Sequence, residues 1–299
     1  MHRSIIIGGG ILLVLYTLAI FAPFFAPYSY DYEKRDRAYH PPVAVHIIKD
    51  KKLHWPYIYN YKMEWKDYKR VWCEDKTKVY PIKLFSKGRL LSVDEPAMLY
   101  LLGSDWNGRD ILSRLIYGAR VSLSVGIIGV LISFSLGLLV GGISGYFGGR
   151  MDNIIMRLIE LIMSFPAFYL ILSLRAVFPL DLPSIYVYFL IVFIISFVEW
   201  GGIARVIRGM VLSIREKEFT LAEKAIGAGS LRIIIHHILP NTFSYCLVAA
   251  CLSIPSYILG ESALSLIGLG INEPWTSWGS MLSRAMDMSI LSSCWWVIT

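Results

Sequence analysis

The chain has 299 residues, of which 56% are apolar and 17% charged, with a formal net charge of +7. Soluble domains run near 45–50% apolar and about 25% charged, so this composition excludes a soluble or disordered chain and implies a polytopic membrane protein. The excess of Lys and Arg, which in a soluble protein would suggest nucleic acid, here fits loops beside lipid headgroups; nucleic acid is not an expected partner. The four cysteines, Cys73, Cys246, Cys251 and Cys294, form no C-x-x-C pair and point to neither a zinc site nor a disulfide framework.

The first apolar run, Ile5 to Phe25, follows a short basic start. No small-residue cleavage site follows it, so it reads as a retained first transmembrane helix rather than a signal peptide. Residues 1–27 form that first division of the chain. Residues 28–100 differ sharply, being charged and aromatic with no membrane-length run. Trp55, Tyr57, Tyr59, Tyr61, Met63 and Trp65 alternate with mostly polar residues, the period of a half-buried strand. Val43, Val45 and Ile47 alternate similarly, and Val79 to Phe85 is another strand candidate. A small β-rich domain is expected, its aromatics serving either as its core or as a docking surface.

Residues 101–299 carry the remaining spans: Val121 to Gly142, Ile154 to Phe178, Ile185 to Ile203 and Ile238 to Leu259. Pro166 and Pro255 interrupt them, which membrane helices tolerate. With the N-terminus inside, Arg150, Arg157 and the Arg205–Arg232 stretch lie in cytoplasmic loops, while the loop around Asp181 lies outside without Lys or Arg. That asymmetry obeys the positive-inside rule, from which the long 28–100 segment is exempt. The end of the chain, Cys294 to Thr299, reads as the opening of a sixth span.

Between the fourth and fifth spans, Glu218 to Ala228 reads as a short cytoplasmic helix with Phe219, Ala222 and Ile226 near one face. Gly227 and Gly229 break it, and Pro240 marks the start of the fifth span. Such a helix suits docking into a groove on a soluble partner, or simply lies on the surface. Near the second span, Gly103 and Gly108 permit a tight turn and Asp110 is placed to cap a helix from Ile111.

Intramembrane carboxylates are functional candidates by default, and Glu160, Glu199 and Glu261 qualify as pathway or gate residues. None has a His at metal-ligand spacing, no nucleophilic serine motif is present, and no phosphate-binding Gly-rich loop exists. Catalysis and ATP binding by this chain itself are therefore not expected.

Gly103-Ser104-Asp105-Trp106-Asn107-Gly108-Arg109-Asp110, Ser113 to Arg120, Gly145 to Asp152, Ser265 to Gly270 and Trp278-Gly279 together resemble the dipeptide/oligopeptide permease family of bacterial ABC importers. Gly227 and Pro240 match the glycine and proline of that family's cytoplasmic EAA loop, whereas of its triplet only Ala222 matches Leu221-Ala222-Glu223. His237 stands where many ABC permeases have an apolar residue. The resemblance implies an all-α membrane protein with the type I importer permease fold, five spans visible and a sixth beyond, carrying a small β-rich extracytoplasmic insert. It implies a second homologous permease subunit, two ATPase subunits that hold ATP and magnesium, and an external solute-binding protein. Glu218, Phe219, Ala222, Glu223, Lys224, Ile226, Gly227 and Ala228 would form the ATPase-coupling site, with Glu218, Glu223 and Lys224 at its polar rim. Peptides are the implied substrates, with nickel or another small solute as the alternative; a membrane-embedded enzyme is the distant one. The implied location is the bacterial inner membrane.

Overall fold

The computed structural model describes residues 2–49, 52–66, 69–86, 88–286 and 294–297. The chain is mostly helical. In order it forms α1 (His2–Ile20), α2 (Ala22–Phe25), β1 (His46–Lys49), β2 (Lys52–Lys66), β3 (Lys69–Pro81), β4 (Lys83–Ser86) and β5 (Arg89–Ser92). These are followed by α3 (Ile111–Phe147), α4 (Gly149–Met163), α5 (Ala167–Ala176), α6 (Ser184–Ile214), α7 (Glu218–Ala225), α8 (Ser230–Ile233), α9 (Leu239–Leu266) and α10 (Trp278–Ala285). A π-helix, Ile234–Ile238, joins α8 to α9.

Among the described residues, Ile111–Phe147, Ser184–Ile214 and Ser230–Leu266 are long and apolar enough to cross a membrane. At 1.5 Å per residue, the 37 residues of α3 run about 55 Å, well beyond the ~30 Å hydrocarbon core. The third expected span is not one straight helix. It breaks into α4 and α5, bent by 83°, because Pro166 lacks an N–H and disfavours helical geometry at Phe165. The first expected span also ends early: α1 stops at Ile20, and α2 restarts with Pro23 in its first turn. The fifth begins earlier than Pro240 suggests, since the helix runs back to Ser230 through the π segment.

The chain divides into two compact units, residues 1–123 with 271–299, and residues 124–270. In the first unit, β2 pairs with both β1 and β3, and β4 pairs with β5, all antiparallel. The core gathers Val43, Ile58, Tyr80, Ile82 and Val93 with Ala97 to Tyr100. The alternating aromatics do not share one buried face. The β2–β3 register slips between Tyr59, opposite Val79, and Asn60, opposite Asp75. Around the slip Tyr57 and Ile58 are buried, whereas Trp55 and Trp65 are about 60% exposed, at 60% and 63%. The Val43 run enters a strand only at His46, because Pro41 and Pro42 supply no N–H to a ladder. The Val79–Phe85 run is split at Ile82, which sinks into the core and donates its N–H to the Pro56 carbonyl (2.9 Å). Trp295–Val297 forms a single 3₁₀ turn, and the expected helix beyond it lies outside the described residues.

In the second unit, Gly137, Gly141 and Gly145 recur every four residues on α3 and let its backbone press against α6. A Cβ at Gly141 would lie 2.5 Å from the Ala204 carbonyl oxygen, and one at Gly145 2.8 Å from that of Arg208. Close approach through small residues is how helices gain dispersion contacts where lipid removes the hydrophobic drive. The same end is locked by charge. Arg208 Nε donates to Asp152 Oδ1 (2.7 Å), and Arg208 Nη2 grips the second carboxylate oxygen. Ser144 Oγ donates to Asp152 (2.5 Å), and Arg215 Nη1 reaches the Gly145 carbonyl (3.1 Å).

Candidate coupling site and a carboxylate–arginine cluster

The short helix read over Glu218–Ala228 stops at Ala225, three residues early. The cause is Gly227, at φ +83°, a left-handed conformation that glycine adopts without a Cβ penalty. The Ala228 N–H returns to the Glu223 carbonyl (3.0 Å) and the Gly227 N–H to that of Lys224 (3.1 Å). Those paired bonds are a Schellman cap, which satisfies carbonyls that an eight-residue helix would leave orphaned. Ile226 and Ala228 thus belong to the cap rather than the helix. A Cβ at Gly227 would meet nothing within 4 Å, so the glycine is needed for its dihedral and not for close approach within this chain.

The exposed side of α7 carries Glu218, Phe219, Leu221, Ala222 and Lys224, and Ile226 just after it is 79% exposed. The inner side of the helix is fixed by two residues, Glu223 and Thr220, the second of which sequence reasoning missed. Glu223 Oε1 stands 3.5 Å from His237 Nε2 in the π-helix. Thr220 is buried and donates its Oγ1 proton to the Ile214 carbonyl (3.0 Å), at the end of α6. The signal for Thr220 was faint: one hydroxyl in a first turn, six residues beyond an apolar run. Leu221, also overlooked, is 47% exposed.

The three candidate pathway carboxylates lie on three helices. Glu160, on α4, is exposed and paired to Arg157 (3.0 Å). Glu199, on α6, is exposed in this chain. Glu261, on α9, is fully buried and accepts the Ser265 hydroxyl (2.7 Å).

In the first unit, the glycine-framed turn from Gly103 to Asp110 proves to be the centre of a charge cluster. Arg109, 2% exposed, donates from Nε to Asp105 (2.8 Å) and grips Glu273 in bidentate fashion (3.0 and 2.7 Å). Arg114 also holds Asp105 (2.5 Å). The guanidinium groups of Arg109, Arg114 and Arg284 lie 4.9, 5.5 and 4.9 Å from the Trp106 ring centroid. Burial alone would raise the Glu273 pKa, but Arg109, Arg114 and Arg284 outweigh it and hold the group below its ordinary value. Asp110 caps α3 as expected, accepting the Ser113 N–H (2.8 Å) and hydroxyl (2.5 Å). Its complete burial pushes its pKa up to about 7 against those bonds, and its second oxygen, Oδ1, has no partner.

The motif-bearing turn, the α3 and α9 spans and the exposed, capped α7 are the features to compare with known proteins. Residues 137–299 match the family described as the binding-protein-dependent transport system inner membrane component. The chain belongs to this family. Residues 1–42 match the N-terminal transmembrane domain of oligopeptide transport permease C. The family and the long apolar helices make it a multi-pass membrane protein. It is 40% identical over 201 residues to the dipeptide transport system permease protein DppC of Bacillus subtilis, covering 67% of this chain and 61% of that one. It is 42% identical over 184 residues to the oligopeptide transport system permease protein OppC of Haemophilus influenzae, covering 62% and 57%. With the OppC of Escherichia coli K12 the identity is 40% over 193 residues, covering 64% and 62%. The chain thus spans about three fifths of the length of these relatives. All three are named as transport permeases, and none as an enzyme.

Proposed function

We propose that this chain is a permease subunit of an ATP-driven importer that carries dipeptides or oligopeptides inward, lining half of the pathway beside a second, homologous permease. The observation that carries the reading is the 40–42% identity to peptide permeases coupled with an exposed, capped helix at the place of the family's coupling loop. ATP and magnesium would sit on two separate ATPase subunits, and an extracytoplasmic binding protein would deliver the peptide. No cofactor is assigned to this chain.

The importer reading carries a topology. The N-terminus lies inside, and α1 and the broken α4–α5 pair each count as one crossing. Residues 28–100 then form an outer insert, whose exposed Trp55 and Trp65 offer the binding protein a contact surface. The cell membrane, lipid on all sides of the spans, is the site of action.

The mechanism follows from how α7 is held. Phe219, Ala222 and Ile226, with Leu221 beside them, enter a cleft on the ATPase, while Glu218 and Lys224 meet its polar edge. Closure of the ATPase pair moves α7 as a rigid piece, and the spans on either side of it rock between inward- and outward-open states. A pathway role for Glu261 requires that movement, because here its carboxylate is buried and accepts the Ser265 hydroxyl (2.7 Å).

The test is reconstitution with candidate ATPase subunits and a candidate solute-binding protein from the same genome. Labelled dipeptide should accumulate in vesicles only with ATP, and Ala222→Asp should detach the ATPase while leaving the permease inserted. Uptake of nickel complexes but not of peptide would replace the substrate class. An Ala222→Asp complex with full ATPase attachment would remove α7 from the coupling role.

A further inference from the structure

Pro240, in the first turn of α9, has no N–H, and its ring would clash with the carbonyl of His236 in a regular α-helix. The chain resolves the conflict by widening the preceding turn: Ile234–Ile238 is a π-helix. The Leu239 N–H reaches back to the Ile234 carbonyl, and Asn241 Nδ2 donates to the His237 carbonyl (2.6 Å). Ile233, Ile234 and Ile238 are all buried, which fixes the rotation of this turn. A residue added to or removed from a helix turns its successors by about 100°. The π segment therefore decides where His237 points, and it points at Glu223 of α7, 3.5 Å away. On the same inner side of α7, Thr220 is bonded to the last turn of α6 (3.0 Å).

We propose that Glu223 and His237 are a positioning pair that ties α7 to the base of α9 through the π-helix, while Thr220 ties it to α6, so that one small helix drives two spans. The proposal rests on the reading of α7 as the ATPase contact and adds to it the route by which movement leaves the helix. Neither member of the pair need touch the ATPase. Both side chains are about 70% buried, with 26% exposure for Glu223 and 30% for His237. Half-open pairs of this kind shift an equilibrium by about two- to fivefold, enough to bias a moving joint without locking it.

Spin labels at Ala225 on α7 and Tyr245 on α9, both exposed, report the joint in the full complex with its ATPases. The tethered pair should give one narrow distance distribution with ADP and with ATP. Glu223→Gln and His237→Gln should each enlarge a second, untethered population about two- to fivefold, and the double variant should do no more than either alone. The exchanged variant, Glu223→His with His237→Glu, should return the distribution to a single narrow peak. A structural role in folding would lower subunit abundance without this rescue. Identical distributions in the wild type and both single variants would overturn the proposal, as would an exchanged variant as broad as the single ones. Failure of the underlying reading looks different: Ala222→Asp would then keep its ATPase whatever the labels show.

Discussion

Replacing Gly227 tests whether the cap of α7 or the clearance around it matters. The residue sits at φ +83° with no atom within 4 Å of the position a Cβ would take. Any non-glycine residue held in the left-handed region costs about 1–2 kcal/mol, and Asn less, because it visits that region routinely. A helix of eight residues is too short to stand alone in water, so this cost falls directly on the fraction of α7 that is formed. One to two kcal/mol corresponds to about a 5–30-fold change in that fraction. Gly227→Ala should therefore weaken ATPase attachment by about 5–30-fold, with Gly227→Asn clearly milder. Attachment is read as ATPase co-purifying per permease subunit across a concentration series, with membrane insertion checked separately. Gly227→Trp separates the two roles. If only the dihedral matters, Trp equals Ala; if the ATPase closes tightly over the cap, Trp is far worse. Wild-type attachment in Gly227→Ala would refute the argument from conformation.

Gly141→Ala should destabilise the subunit by about 1–3 kcal/mol through overpacking, read as lost abundance, because its Cβ would fall 2.5 Å from the Ala204 carbonyl. Gly202→Ala, with open space around it, should leave abundance unchanged. Arg109→Ala leaves Asp105 and Glu273 to Arg114 alone and should cost about 1–3 kcal/mol, seen as loss of folded subunit in a detergent melting assay. Asp110 titrates near 7 in the folded chain against an ordinary 3.8. Because the folded value is the higher, its stabilising contribution is complete below about pH 4 and is lost as the pH rises through 7. Melting temperature should fall across that window, and Asp110→Asn should flatten the fall.

What the sequence made legible follows physical range. The apolar runs of α3, α6 and α9 stand out because lipid imposes composition over some twenty consecutive residues, a signal that no single residue can spoil. The bend at Ser164–Pro166 and the break at Phe21 escaped it, since a hydropathy run records how apolar a stretch is and nothing about its direction. Pro166 and Pro23 held that information, but a proline in a membrane helix is compatible with a straight span, a kink or an 83° turn. The hairpin shows the same limit at a different period. Alternation placed Trp55 to Trp65 within β2, yet the slip at Tyr59–Asn60 depends on pairing with β3 and so on contacts distant in sequence.

The candidate site divides along the same line. Gly227 was recognisable as a break because left-handed geometry is a local demand, and the apolar face of α7 because its period is local too. The approach of Glu223 to His237 was hidden from composition. A carboxylate on an exposed helix ordinarily faces water, and here it is drawn back by a histidine whose direction is set by a proline three residues further on. Pro240 was read as the mark of a helix start; its larger effect is to force the wide turn that aims His237. The charge cluster around Arg109 extends the argument to the other unit. Asp105 lies four residues from Arg109, but Glu273 lies 164 residues away, so the sequence could show the capped turn and not the carboxylate that completes it. Motif residues that looked like turn formers are, in the folded chain, the fixed point to which the segment before α10 is bound.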